Sequence, residues 1–175
     1  AVAQAIAQQC DAAQRLTILT GAPLPTGWVG KVWALEQGAA WCGFGSVPHS
    51  LPTSGKPQLL KLKPQYLLLT DADIVHAPNS LRRLVSESEQ GRLALNSRMA
   101  RLRCVSAAER WLIPPFVFFF NLLYPMRQVN NPQSRMAGAA GGCVLLHGDA
   151  LVQAGGFACI KDCIIDDVNL ARCIK

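Results

Sequence analysis

Two pairs of acids carry the chemistry that residue type and spacing suggest. Asp71 and Asp73 stand in the stretch YLLLTDADIVHAP, Tyr66 to Pro78, where a strand-like apolar run ends in two carboxylates one residue apart. In extended backbone, residues two apart project to the same side. Two carboxylates held close repel, so ionised together they want a cation. A hard divalent ion, Mg²⁺ or Mn²⁺, takes oxygen ligands and often bridges to substrate phosphates. The competing reading is that the two acids cap the helix expected at APNSL. Asp166 and Asp167 form the second pair, after a loop holding Gly155, Gly156 and Phe157. A carboxylate there serves as a general base if the fold brings it near the first pair. Otherwise it is favourable negative charge in the first turn of a helix.

The other reactive residue types add less. Lys31 follows the Gly-rich TGWVGK and is a candidate phosphate contact, but Val32 follows it, so this is not the Gly-Lys-Ser/Thr phosphate loop. His49, His76 and His147 show no triad-like spacing and read as structural or exposed. The seven cysteines are odd in number and form no C-x-x-C, which suggests free thiols in a reducing compartment. Cys159 and Cys163 are spaced to share a helix face, yet no histidine accompanies them at zinc spacing.

The elements that must position these groups belong to one folded domain. Of 175 residues, 50% are apolar and 16% charged, which excludes a disordered chain. The net charge is +6, from basic residues that read as scattered apart from a mild cluster at Arg98, Arg101 and Arg103. No basic arm or zinc finger is present, so nucleic acid is not an expected partner. The surplus suits an anionic small substrate or an anionic membrane surface. No basic, apolar leader opens the chain, and no run reaches the roughly 18 apolar residues of a spanning helix. The longest apolar run, WLIPPFVFFFNLLYP from Trp111 to Pro125, is broken by Pro114, Pro115 and Asn121. It reads either as core packing or as an interfacial element lying on a bilayer. The chain starts without Met and stops at ARCIK inside a helical pattern, which suggests a piece of a longer protein.

Along the chain, Ala1 to Arg15 reads as a helix and Arg15 to Gly21 as a short strand. Lys31 to Ala40 reads as a helix with Val32, Leu35 and Ala39 at helical spacing. Residues 42–63, rich in Gly, Pro and Ser, read as a surface insertion. QYLLLT reads as a strand in a sheet covered on both faces, followed by a helix that starts near Pro78 and ends at Gly91. RLALNSRMARLRC holds one or two strands. Ser106 and Glu109 form the capping box of another helix. Gly141 to His147 is a strand, GDALVQAGGF a short helix stopped by Gly155-Gly156, and IDDVNLARCIK a helix. Strands alternating with helices predict an α/β sandwich with a mainly parallel sheet, whose ligands sit at the carboxyl ends of strands.

Four segments, GWVGKVWALEQG, YLLLTDADIVHAPNSLRRLV, LIPPFVFFFNLLYP and AGGCVLLHGDALVQAGGFACIKDCIIDDVNLARCIK, occur in this order. Together they resemble family 2 glycosyltransferases with a GT-A fold, most nearly the hopene-associated (hopanoid biosynthesis) enzymes related to ceramide glucosyltransferases. The resemblance covers nearly the whole chain except residues 42–63. It implies one catalytic domain over 1–175, incomplete at both ends, with a Rossmann-like, mainly parallel mixed sheet flanked by helices. It implies metal-dependent, inverting transfer of a sugar from a nucleotide-diphosphate donor, commonly UDP-linked, to a lipid (hopanoid or polyprenoid-like) hydroxyl. On that resemblance Asp71 and Asp73 hold the metal and the donor diphosphate, and Lys31 lies on the nucleotide side. Asp167 is the general base, with Asp166 in the Glu position of the family's pair. Gly155, Gly156 and Phe157 border the acceptor. Membrane association with the catalytic domain on the cytoplasmic side follows from the same resemblance. The family's first strand, its downstream Arg-Trp motif and its membrane helices are expected outside these residues. Two rival readings are a nucleotidyltransferase on a related sheet and a catalytically incomplete fragment that binds a membrane or a partner.

Overall fold

The computed structural model describes residues 2–45 and 63–175. Their elements are α1 (Val2–Gln9), α2 (Gly30–Trp41), β1 (Tyr66–Thr70), α3 (Ser80–Gly91), β2 (Leu95–Ser97), α4 (Ala107–Leu123), α5 (Met126–Val129), β3 (Cys143–His147), α6 (Gly148–Gln153) and α7 (Asp166–Ile174). Short 3-10 turns occupy Ala13–Arg15 and Gly156–Ile160.

Among the described residues the sheet has three strands in the order β1-β3-β2, and β3 runs antiparallel to both neighbours. The expected mainly parallel sheet is therefore corrected to an antiparallel one within a mixed helix-and-strand fold. The alternation that suggested parallel pairing survives in the connection. β1 and β2 run the same way, joined through α3, but β3 inserts between them. Local pattern located these three strands; it does not fix which of them takes the middle place.

The central strand explains the continuous apolar runs. Residues Cys143 to Leu146 are all buried. Successive side chains on a strand point to opposite faces, and the core divides accordingly. Leu146 joins Val32 of α2, Leu151 of α6, Phe157, Ile160 and Leu170 of α7, with Leu67 and Leu69 of β1 packed alongside. Cys143 and Leu145 meet Leu84 of α3 on the other face, with Tyr66 and Leu68. Both faces are covered, as the run QYLLLT predicts. β2 is tied to α3 by the buried Asn96, whose amide donates to the Leu84 carbonyl and to Ser88 Oγ, both at 3.3 Å.

Three other expectations change. Arg15 to Gly21 forms no strand; Leu16 and Ile18 are exposed, and among the described residues no neighbouring strand takes up their backbone. The N-terminal helix ends at Gln9, and Asp11 takes a left-handed φ of 49° just beyond it. Of the expected insertion, residues 46–62 lie outside the described residues, while Phe44 is buried in the core with Lys63 Nζ 4.1 Å above its ring. The Ser106–Glu109 capping box at the start of α4 forms with both reciprocal bonds.

Candidate functional site

The site forms at the carboxyl end of β1, where α2 and α7 also begin. Asp71 is the first residue past the strand, and its amide still bonds the Gly142 carbonyl at 3.3 Å. Ala72 and Asp73 then form a turn, and Asp73 is exposed. The expectation that an extended segment projects both acids to one side is thus corrected, since the backbone turns after Asp71. The helix-capping reading also fails. α3 begins with Asn79 as its N-cap and no side-chain cap bond, well past both acids.

Lys31, in the first turn of α2, joins the two acid pairs. Its ammonium lies 3.3 Å from Asp71 Oδ1 and 3.1 Å from Asp166 Oδ2. A cation in the first turn of a helix faces the positive end of the helix dipole, so this lysine depends on the carboxylates around it. Partial burial pulls its pKa down. The hydrogen bond and charge of Asp166, followed by the charge of Asp71, outweigh that and leave it above the ordinary lysine value. Asp166 is the most enclosed of the three, its side chain 17% exposed against 44% for Asp71 and 47% for Lys31.

Asp167 faces a different partner. Its Oδ2 accepts from the Gly141 amide at 2.8 Å and its Oδ1 from the Val168 amide at 2.7 Å. Gly141 and Gly142 are the strap between the pairs, one bonded to Asp167 and the other to Asp71. A Cβ on Gly141 would lie 3.2 Å from Asp167 Oδ2, and one on Gly142 would lie 3.1 Å from Ile74 Cδ1. Thr70 Oγ1 adds a bond to the Gly142 carbonyl at 3.1 Å and a contact with His76 Nε2 at 2.9 Å. His76 is therefore a positioning neighbour of the turn.

The Gly155-Gly156-Phe157 loop sits behind this cluster. Gly155 and Gly156 take left-handed φ values of 88° and 71°, which favour glycine. Gly155 is at the surface, whereas Gly156 and Phe157 are buried, Phe157 completely, so its ring serves the core. The Phe157 amide donates to Glu36 Oε2 at 3.3 Å. Glu36 is wholly buried and ties the loop to the helix that bears Lys31. Sequence reasoning passed over Glu36, Gly141 and Gly142. The signal for Glu36 was an acid four residues after Val32, on the apolar stripe of α2.

All seven cysteines are free thiols. Cys159 and Cys163 do not share a helix face: one lies in the 3-10 turn and the other beyond it. Burial, then a hydrogen bond with Cys173, pushes Cys159 up to about 12. Among the described residues no group of three His, Cys, Asp or Glu side chains is placed to hold a metal ion. A cleft of about 530 Å³ lies at the other end of the sheet, bordered by Tyr66, Ser88, Arg92 and His147, and includes none of the acids above.

No protein-family model matches the chain, and no curated protein or solved structure shows significant similarity to it.

Proposed function

We propose that this domain is a glycosyltransferase, moving a sugar from a nucleotide-diphosphate donor, UDP-linked, to a lipid hydroxyl with inversion. The observation that carries the reading is the convergence of Asp71 and Asp166 on one ammonium, that of Lys31, at a strand's carboxyl end. Two helices begin at the same place, and the positive ends of their dipoles favour anions. That environment suits a diphosphate.

The donor set fits a hard divalent ion, because Mg²⁺ and Mn²⁺ are held by one or two carboxylates with the rest supplied by water and substrate phosphates. Asp71 and Asp73 are the residues that would hold it. When bound, such an ion neutralises charge on the departing diphosphate oxygens. Lys31 donates to the same diphosphate from the nucleotide side, and Asp166 keeps its ammonium in place. Asp167 takes the acceptor hydroxyl's proton. Its two amide bonds fix its orientation, and each carboxylate oxygen keeps a second lone pair for the proton. Attack opposite the leaving group gives inversion. The Gly155–Phe157 loop borders the acceptor through Gly155, with Phe157 as its anchor in the core. Placement of the domain on the cytoplasmic side of a membrane belongs to this proposal.

Calorimetric titration with a UDP-sugar, with and without Mn²⁺, tests it. The expected result is Mn²⁺-dependent binding that weakens by about tenfold or more in Asp71→Ala, a loss of roughly 1.4 kcal/mol. Absence of binding, or equal binding by the variant, overturns the reading. Pyrophosphate release from a nucleoside triphosphate and a sugar phosphate would replace it with a nucleotidyltransferase.

A further inference from the structure

α4 is a 17-residue helix in which no residue is buried. Trp111 is 80% exposed, and Leu112, Phe116, Phe118, Phe119 and Leu122 are each more than half exposed. At about 100° per residue, these side chains with Leu123 fall within an arc of about 160°. The half-buried Ile113, Val117 and Phe120 fall on the opposite side, so the wider apolar face is the bare one. The helix also carries Pro114 and Pro115 in its interior. Neither can donate to the carbonyls of Arg110 and Trp111, and an interior proline weakens a helix. A helix with that handicap draws its stability from packing, yet none of its residues is buried by the chain.

The charge around α4 says what covers the other side. Between Glu89 and Asp149 lie seven arginines and a single acid, Glu109. The segment's surplus of six therefore equals the +6 of the whole chain, and the remaining ten basic and ten acidic residues cancel. The basic residues that read as scattered are, in net charge, confined to the segment holding the bare helix. Arg101 and Arg103 precede α4, Arg110 lies within it and Arg127 follows it, and all four are exposed. No helix among the described residues is long and apolar enough to cross a membrane.

We propose that α4 is an interfacial helix that docks this protein on an anionic lipid bilayer. Its bare arc lies among the acyl chains, and the flanking arginines meet headgroup phosphates. An apolar arc flanked by arginines fits the chemistry of helices that lie in the membrane surface. A second copy of the chain is the poorer occupant, because pairing two such faces brings two surpluses of like charge together. The inference deepens the transferase reading and rests on it only for the identity of the acceptor. Its test reads neither nucleotide nor turnover, so the two can fail separately.

The test is flotation of the full chain with vesicles of phosphatidylcholine alone and of phosphatidylcholine with phosphatidylglycerol. Binding to the anionic vesicles is expected, falling as salt rises. Phe118→Asp with Leu122→Asp should abolish it, with circular dichroism unchanged because both positions are exposed. Arg101→Glu with Arg103→Glu should weaken it by more than about tenfold, since basic residues beside an anionic surface are drawn to it and acids are repelled. Absence of binding to either vesicle, or equal binding by the Phe118/Leu122 variant, overturns the proposal. So does sedimentation showing a stable dimer that the same variant dissociates while vesicle binding stays absent.

Discussion

The core around β3 and the surface of α4 are built from the same kinds of residue and have opposite fates. Leu146, Leu151 and Phe157 are sealed between α2, α6 and α7, whereas Trp111, Phe118 and Leu122 face outward. Apolar composition therefore decides only that a surface avoids water. Whether it does so inside the chain or against something else depends on which elements come to cover it.

The largest effect that separates the two regions is a pair of truncations. Phe157→Ala should lower the free energy of unfolding by about 3–5 kcal/mol through lost burial and a cavity. Phe118→Ala should change it by no more than about 0.5 kcal/mol. Chemical denaturation reads both, and comparable losses would mean that α4 is packed after all.

A smaller effect is expected where the two acid pairs are strapped together. Gly141→Ala places a methyl 3.2 Å from Asp167 Oδ2. The carboxylate or the strap must shift, so a loss of about 1 kcal/mol is expected, the size of one typical hydrogen bond. An unchanged midpoint in denaturant would show that the Asp167 bond to the strap contributes nothing.

Lys31→Met should alter stability less, by under about 1 kcal/mol, because its carboxylate pairs are partly exposed. Its signature lies in pH. The folded pKa of Lys31 is raised above the ordinary value. Its contribution is thus fully present at neutral and mildly alkaline pH and is lost only as pH rises through that raised value. Unfolding midpoints followed into the alkaline range should converge for wild type and variant; a constant gap would contradict the bridge. The smallest effect is chemical. Cys159, pushed up to about 12, should react with iodoacetamide at neutral pH more slowly than Cys104, although both are exposed, because the thiolate is the reacting form. Equal rates by mass spectrometry would remove the environment described for it.

Much of the local structure was legible. The Ser106–Glu109 pair announced α4, the run at Tyr66 announced a strand in a sheet covered on both faces, and Gly141 to His147 announced another strand. Gly91 marked the end of α3, although the left-handed φ of 48° falls on Arg92, one residue later. What was illegible depends on distant partners. Leu16 and Ile18 alternate like a strand, but β potential becomes a strand only where another chain segment accepts its hydrogen bonds. The place of β3 between β1 and β2 is likewise a property of pairing. At the site, the acids and Lys31 stood out by type. The Gly141-Gly142 strap did not, because what makes those glycines necessary is the close approach of Asp167 and Ile74 from far along the chain. The two readings of Trp111 to Pro125 were separable only by burial, and the bare arc removes simple core packing as the account of that helix.

The central claim is that the acids at 71 and 166 belong to one site around Lys31. A double-mutant cycle on the affinity for a UDP-sugar at saturating Mn²⁺ tests it most directly, using Asp71→Asn, Asp166→Asn and both together. Groups sharing one site show a coupling energy of about 0.5–3 kcal/mol, so the double variant should bind hardly worse than the weaker single one. Losses that simply multiply, or an affinity that neither change disturbs, would contradict the claim.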